Sequence, residues 1–356
     1  MVTWAHWLIK PAMNRDFSLI DANFARVYEG LRVLEDSARF GLRDSTLSSV
    51  AKELRHRLPE LEADFGPAGM VRARRGVDVG SGRITGPALE RPSLWSIIRA
   101  NSRRVAEALR VLEEFGKLYA PGAVFRLEDI RYRVYTLEYQ LLARTPHYWL
   151  RKYFERGIVY PLSANVADLI WFIEQGARVV QLRDKTSSPA EVFDKARKLC
   201  AYIQEQSLRA PRVHEPPVFI LNDYPDIAAR LPVAGVHIGQ DMTVAAARRL
   251  VGSAKIIGRS NQSLDQLLAS QRDGADYASL GPVFRTAAKA EREPVGLEAV
   301  LEAVPAVTIP LVAIGGIAPE NIHLVKDAGA KNVAVIGRAR DFFRTAYENT
   351  ALTPAG

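Results

Sequence analysis

Between residues 155 and 340 a short apolar run and a helical stretch alternate along the whole segment, and few folds accept that pattern. Eight apolar runs can be marked, near Ile158–Pro161, Val179–Leu182, Val218–Leu221, Gly235–Ile238, Lys255–Gly258, Tyr277–Leu280, Leu311–Ile314 and Val333–Ile336. Helical stretches such as Ala164–Glu174, Pro189–Gln206, Val244–Val251, Ser263–Asp273 and Glu298–Val304 separate most of them. Short, β-branched apolar runs read as strands buried on both faces, and eight strand-then-helix units predict a compact (β/α)8 TIM barrel. A doubly wound open sheet is the alternative. No Gly-x-Gly-x-x-Gly follows the first run, which counts against it.

The first part of the chain has a different texture. Residues 1–150 are rich in Leu, Arg and Glu, with apolar positions at helical spacing. A string is repeated within them: Ala22-Asn23-Phe24-Ala25-Arg26-Val27-Tyr28-Glu29-Gly30-Leu31-Arg32-Val33-Leu34-Glu35 returns as Ala100-Asn101-Ser102-Arg103-Arg104-Val105-Ala106-Glu107-Ala108-Leu109-Arg110-Val111-Leu112-Glu113. Each copy is followed by an echo, Leu54-Arg55-His56-Arg57 and Ile130-Arg131-Tyr132-Arg133. Each unit reads as a helix pair, and two pairs make an all-α four-helix bundle. Val27, Leu31 and Leu34 share a face, as do Val105, Leu109 and Leu112, and that face is core.

The expected organisation is therefore a helical domain over residues 1–147, a barrel over 148–347 and a tail over 348–356. The junction is placed near Thr145-Pro146-His147, where a proline is expected to interrupt the last long helix.

Composition narrows the function classes. The net charge of +8 is spread out: 23 Lys and Arg against 18 Asp and Glu in residues 1–150, and 25 against 22 in residues 151–356. No basic block marks a nucleic-acid arm, so acidic small molecules such as phosphate esters are the expected partners, with a mildly basic solvated surface as the plain alternative. Cys200 is the one cysteine, which excludes an internal disulfide framework and favours a reducing, cytoplasmic compartment. No apolar run spans a bilayer and no secretory signal is read at the N-terminus. A homo-oligomer is left open.

Polar residues gather where the predicted strands end, the end that carries chemistry in such barrels. The second run ends in Gln181-Leu182-Arg183-Asp184-Lys185, the third in Asn222-Asp223 and the fourth in His237-Ile238-Gly239-Gln240-Asp241. The fifth ends in Gly258-Arg259-Ser260-Asn261-Gln262, and the sixth leads into Thr286-Ala287-Ala288-Lys289. Gly315-Gly316 and Ile336-Gly337 follow the last two. Taken singly, Arg183 and Lys185 read as surface charge, Asp223 and Ser260 as helix caps, and His237 as a hydrogen-bonded core residue. Together they comprise two acids for a divalent metal, several cations and a glycine-lined anion site. That set predicts two phosphorylated substrates, one carrying a metal-bound diphosphate.

In the helical half, Asn23, Arg26 and Glu29 recur at spacings of three, matched by Asn101, Arg104 and Glu107. Such a stripe could bind a phosphate and a heterocycle, since Arg forks suit phosphate oxygens. Interhelix ion pairs and caps are the structural alternative. The glycine-rich stretch Arg74–Gly82 lacks a P-loop pattern.

At this point the strings resemble thiamine phosphate synthase. Gln-Leu-Arg-Asp-Lys, Asn-Asp, Gly-Val-His-Ile-Gly-Gln-Asp, Gly-Pro-Val-Phe-x-Thr-x-x-Lys and Ala-Ile-Gly-Gly-Ile occur in that family's order over roughly Tyr160–Arg338. The resemblance implies the joining of hydroxymethylpyrimidine diphosphate to a thiazole phosphate, with loss of diphosphate. It implies that Gln181, Arg183, Lys185 and Asn222 contact the pyrimidine diphosphate. Asp223 and Asp241 would hold Mg²⁺, and Ser260 and Lys289 would grip the diphosphate. Thr286 and Gly316, with backbone at Ile336 and Gly337, would take the thiazole phosphate. The pyrimidine C–O bond would break early to a carbocation-like species that the thiazole nitrogen captures, so Arg183, Lys185 and Lys289 would act by holding charge.

Four positions depart from the family pattern. Asp241 is followed by Met242 where a second acid is usual, Ala288 replaces a Thr, Gly337 a Ser and Gln262 a His. The related thiazole tautomerase uses a His where Gln262 stands, which separates it from this chain. A non-catalytic phosphate-binding sensor, with the helices as scaffold, is the other alternative. The helical half resembles a domain fused ahead of such synthases, on the doubled string and Asp78-Val79-Gly80. The resemblance implies hydroxymethylpyrimidine phosphate kinase activity with ATP, through Asn23, Arg26, Glu29, Asn101, Arg104 and Glu107. A dimerisation or scaffold bundle is the alternative.

Overall fold

The repeated string places an apolar residue on one helical face every three or four positions, and both copies fold as long helices. The computed structural model describes residues 5–66, 91–209, 215–289 and 291–343. They belong to two compact units, Met1–Thr145 and Pro146–Gly356. The stretch Arg74–Gly82, with Asp78-Val79-Gly80, and the tail 348–356 lie outside the described residues.

In the first unit, α1 (Ala5–Asp36) continues into a π-helical turn, Ser37–Leu42, and is followed by α2 (Ser45–His56) and the short α3 (Leu58–Asp64). Then come α4 (Leu94–Tyr119) and α5 (Val124–Ala143). The starts of α2 and α4 are set by capping: Asp44 accepts from the Leu47 N–H at 3.0 Å, and Ser93 and Ser96 form a reciprocal box. Val27, Leu31, Leu34, Val105, Leu109 and Leu112 are fully buried. Burying each such side chain contributes about 1.5–3 kcal/mol against leaving it exposed.

Charges close the bundle in duplicate, following the repeat. Glu35 accepts from Arg55 at 3.1 Å, and its counterpart Glu113 takes the Arg131 fork at 2.5 and 3.1 Å. Arg57, between α2 and α3, pairs with Asp129 of α5 at 2.8 Å, and Arg133 of α5 returns the contact to Glu53 of α2 at 2.8 Å. The echo that follows each copy therefore places the arginines that tie the two helix pairs together.

In the second unit Pro146 starts a new helix, α6 (Pro146–Arg156), rather than interrupting an old one. Proline is suited to a first helical turn, where its missing N–H costs no bond. Eight parallel strands follow: β1 (Val159–Ser163), β2 (Val179–Leu182), β3 (Val218–Asn222), β4 (Gly235–Ile238), β5 (Ile256–Asn261), β6 (Tyr277–Leu280), β7 (Leu311–Ile314) and β8 (Asn332–Val335). They close in sequence order, β1 pairing with β8 through Val159 and Val333, so the sheet is a barrel and not doubly wound. The helices between them are α7 (Val166–Glu174), α8 (Pro189–Arg209), α9 (Pro225–Arg230), α10 (Val244–Val251), α11 (Leu264–Arg272), α12 (Gly296–Ala306) and α13 (Ile322–Asp327).

The two-residue period of a strand sorts the side chains. Val180, Leu182, Phe219, Leu221, Val236 and Ile257 join the layer packed under the helices. Val179, Val218, Ile220, Ile256, Tyr277 and Val312 form a separate interior cluster. Leu150, Tyr153 and Phe154 of α6 belong to that interior cluster, and the Tyr153 hydroxyl donates to Pro216 O at 2.9 Å. Packing at that end leaves the ends of the strands toward Arg183, Asp223 and Lys289 for polar groups. Strand β5 is longer than its apolar run, because Asn261 satisfies its side chain within the wall: it donates to Ser279 O at 3.2 Å and accepts from Ser270 at 2.6 Å. No helix among the described residues is long and apolar enough to cross a membrane.

Candidate active site

A cavity of about 430 Å³ lies at the C-terminal ends of the barrel strands. Gln181, Arg183, Lys185, Asn222, Asp223, Asp241, Ser260, Thr286, Lys289 and Ile336 all line it. Gly316 and Gly337 do not; the wall there is Gly315 and Ile336, with the two glycines next in sequence at φ +66° and +78°.

In the string that leaves β2, alternate residues face the cavity. In Gln181-Leu182-Arg183-Asp184-Lys185 the odd positions line it. Asp184 turns the other way and is buried. Its Oδ1 accepts from the Thr186 and Ser187 N–H groups, each at 3.0 Å, and its Oδ2 from Lys195 at 2.5 Å. Burial pushes the Asp184 carboxyl up, but the Lys195 ammonium and these N–H donors outweigh it and hold the group well below the usual range. Asp184 is thus the anchor of the turn that carries Arg183 and Lys185. Arg259 likewise points out of the barrel, to Asp273 at 3.0 Å.

Asp223 sits at the end of β3 with φ +65°, a left-handed conformation that Asp enters more readily than most residues. Its N–H donates to His237 O at 2.9 Å, and its carboxylate receives the Lys185 ammonium directly. Asp241 folds back over Gly239, its Oδ1 lying 2.5 Å from where a Cβ on Gly239 would sit. Neither Asp223 nor Ser260 caps a helix: Ser260 is inside β5 and meets His237 Nε2 at 2.9 Å.

The wall is cationic. Arg183, Lys185, Lys289 and Arg292 line it against the carboxylates Asp223 and Asp241. Burial, and then Arg292, Arg183 and Lys185, hold the Lys289 amine below the ordinary lysine range. Burial, followed by Lys289, Arg183 and Lys185, lowers the His237 imidazole to about 3. Uncompensated positive charge of this kind stabilises an incoming polyanion. The Gln181 Oε1 is buried without a hydrogen-bond partner.

Several contributors escape a reading of the strand ends. Tyr160 and Tyr277 line the cavity from inside β1 and β6, ahead of the strand ends. Arg292 enters from the loop after β6, and the amide of Gln262 faces it. The signal for the tyrosines was their inward position on the strand period; for Arg292 no sequence signal stood out.

In the helical unit the two asparagines behave alike. Asn23 donates to Leu19 O and Asn101 to Ile97 O, each at 2.9 Å, so both amides are tied one turn back along their own helices. Asn23 also accepts from Arg26 at 3.1 Å. Arg26, Glu29, Arg104 and Glu107 are exposed, and Glu107 pairs with Arg103 at 3.3 Å. The structure therefore gives Asn23, Arg26, Asn101 and Glu107 intrahelical partners.

The family model for thiamine monophosphate synthase matches residues 164–339, and that of the ThiD2 family matches residues 18–140. A thiamine-phosphate synthase of Nostoc punctiforme is 37% identical over 330 residues, covering 90% of this chain and 88% of its own. One from Synechococcus sp. (strain WH7803) is 38% identical over 330 residues, covering 89% of this chain and 90% of its own. Among solved structures, thiamine phosphate pyrophosphorylase from Pyrococcus furiosus is 27% identical with a TM-score of 0.47, over 56% of this chain and 99% of that one. With these relatives matched across both its helical unit and its barrel, the chain belongs to the thiamine-phosphate synthase family.

Proposed function

We propose that the barrel condenses 4-amino-2-methyl-5-hydroxymethylpyrimidine diphosphate with 4-methyl-5-(2-phosphooxyethyl)thiazole, releasing diphosphate and forming thiamine phosphate. The observation that carries this reading is the convergence of Gln181, Arg183, Lys185, Asn222, Asp223, Ser260 and Lys289 from separate strand ends on one cavity. The bare Oε1 of Gln181 suits the pyrimidine amine, which can only donate to it. Arg183, Lys185, Ser260 and Lys289 hold the diphosphate, so charge released as the C–O bond breaks is already met by fixed donors. Thr286 and the glycine-rich turns after β7 and β8 take the thiazole phosphate, holding its ring nitrogen in line with the reacting carbon. No group on the wall is required as a nucleophile.

Asp223 and Asp241 fit Mg²⁺, which is commonly held by one or two carboxylates together with substrate phosphates and water. Among the described residues no group of three or more ligating side chains exists, which suits an ion shared with a diphosphate rather than a dedicated cage. When bound, the ion would neutralise charge on the leaving diphosphate.

The helical unit would supply the diphosphate substrate from the monophosphate and ATP, using Arg26, Glu29, Arg104 and Glu107. The match of residues 18–140 and the metabolic logic of the fusion support it. A reducing, cytoplasmic setting suits Cys200, whose free thiol is buried and is pushed up to about 11 by that burial.

The experiment supplies thiazole phosphate and Mg²⁺ with either pyrimidine diphosphate, or pyrimidine monophosphate plus ATP. Thiamine phosphate from the first mixture supports the synthase; its absence with folded protein overturns it in favour of a sensor. Product from the second mixture, lost in an Arg26→Ala, Arg104→Ala variant that keeps the first activity, supports the kinase. Product from the diphosphate alone leaves the bundle a scaffold.

A further inference from the structure

Five polar side chains form an unbroken chain across the barrel interior. Gln181 Nε2 donates to the Tyr160 hydroxyl at 2.8 Å, which lies 3.2 Å from the Tyr277 hydroxyl. Tyr277 is 2.9 Å from His237 Nδ1, and His237 Nε2 is 2.9 Å from Ser260 Oγ. Gln181, Tyr160, Tyr277 and His237 are buried, so no bulk water competes for these groups. Each phenol and the neutral imidazole has one proton to give, and when every one of them is spent within the chain it is saturated in only two ways. In the forward sense protons point from Gln181 through Tyr160, Tyr277 and His237 to Ser260. The imidazole is then the Nε2–H tautomer, Oε1 is the unpaired end of the Gln181 amide, and the Ser260 proton is free to point at a ligand. In the reverse sense Ser260 donates inward, the imidazole carries Nδ1–H, and Gln181 shows its NH2.

We infer that this chain is a polarity relay set in the forward sense, with Tyr160, Tyr277 and His237 as positioning residues that present an acceptor at Gln181 and a donor at Ser260. The orientation of Gln181 is the observation that sets the direction: its Nε2 is spent on Tyr160 and its Oε1 is left bare. The chemistry of an amino-heterocycle carrying a diphosphate demands the same sense, because reversal would face amine with amine and anion with a lone pair. Binding of the amine at one end therefore favours the donor at the other. Gly258 makes the relay fit, since a Cβ there would lie 2.1 Å from the Tyr277 ring. The ligand half of this inference rests on the function proposed above; the tautomer half does not.

The test reads the His237 ring in the ¹⁵N-labelled full-length chain by two-bond ¹H–¹⁵N correlation, with its signals identified by their loss in His237→Asn. An unprotonated Nδ1 and protonated Nε2 are expected without any substrate; an Nδ1–H ring overturns the relay. Tyr160→Phe should leave the tautomer unchanged, because Tyr277 still donates to Nδ1, whereas under the reverse sense it would flip. Tyr277→Phe removes the only donor to Nδ1 in the chain, so both tautomers should appear, and KM for the pyrimidine diphosphate should rise about tenfold, the scale of one hydrogen bond to a charged group. A ring that stays wholly Nε2–H in Tyr277→Phe also overturns the assignment of Tyr277. If the tautomers behave as expected while no thiamine phosphate forms, the proposed function fails and the relay stands.

Discussion

The Lys185 ammonium contacts the Asp223 carboxylate directly, joining the loop after β2 to the end of β3. Both groups line the cavity, and both have separate work in the proposed reaction: Lys185 for diphosphate, Asp223 for Mg²⁺. The contact fixes the position of each side chain against the other. The pair is solvated, with the Lys185 side chain 54% exposed, so it contributes little to stability.

That relationship separates activity from folding. Asp223→Asn, which keeps a residue suited to the left-handed backbone, should leave the thermal midpoint within a few degrees of the parent, since exposed pairs contribute about 0–1 kcal/mol. The same variant should need at least tenfold more Mg²⁺ for half-maximal thiamine phosphate formation. A titration with unchanged Mg²⁺ dependence would remove Asp223 from the metal site.

Lys289 gives a proton signature. Burial and three neighbouring cations, Arg292, Arg183 and Lys185, lower its amine, so part of its charge is missing at alkaline pH in the free chain. An anionic ligand favours the charged form and raises the amine again. Diphosphate binding should therefore take up protons at a pH between the lowered value and the ordinary one of about 10.4. Calorimetry in two buffers of different ionisation enthalpy measures this, and Lys289→Met should abolish the uptake. Loss of the positive charge should also cut kcat by about 100-fold, the scale of removing one donor to developing charge.

Asp184 should act through the residues beside it. Asp184→Ala frees the turn before Ser188 and leaves Lys195 without its buried acceptor. A destabilisation of about 2 kcal/mol is expected, as for hydrogen bonds to charged groups, read from the denaturant midpoint. The substrate KM should rise as Arg183 and Lys185 lose their fixed directions. The carboxyl is depressed in the folded chain, so its contribution is complete above the unfolded value of about 3.9 and is lost as pH falls below it. The variant and the parent should therefore converge in stability in strong acid.

In the bundle, Glu113→Ala removes the two-pronged partner of Arg131, whose side chain is 11% exposed, and leaves it Glu128 at 3.6 Å and the Tyr135 hydroxyl at 3.3 Å. Breaking a buried pair by removing one partner costs about 3–5 kcal/mol. The equivalent Glu35→Ala should cost less, because Arg55 is 23% exposed and can turn to water. Paired double-mutant cycles of Glu113 with Arg131 and Glu35 with Arg55 check the order.

Much of this was legible in the residues. The doubled string from Ala22 and Ala100 required two matching helices, since the spacing of Val27, Leu31 and Leu34 exposes an apolar stripe unless a partner covers it. The eight apolar runs required strands, and Gln181, Arg183 and Lys185 were marked by their place where the second run ends. These are local consequences of backbone geometry, so they can be read without knowing what lies across the fold. What lies across it was settled by closure of the barrel. Tyr160 and Tyr277 are 117 positions apart, yet closure brings their hydroxyls to 3.2 Å and makes two core aromatics part of a polar chain. Ser260 reads as a helix cap until β4 and β5 pair and set it against His237. Arg292 joins the cations only when the loop after β6 folds over the cavity. Sequence determined which elements form and which way each side chain faces; the tertiary structure decided which of those side chains meet, because hydrogen bonds and charge pairs act over a few ångströms and chain separation says nothing about that distance.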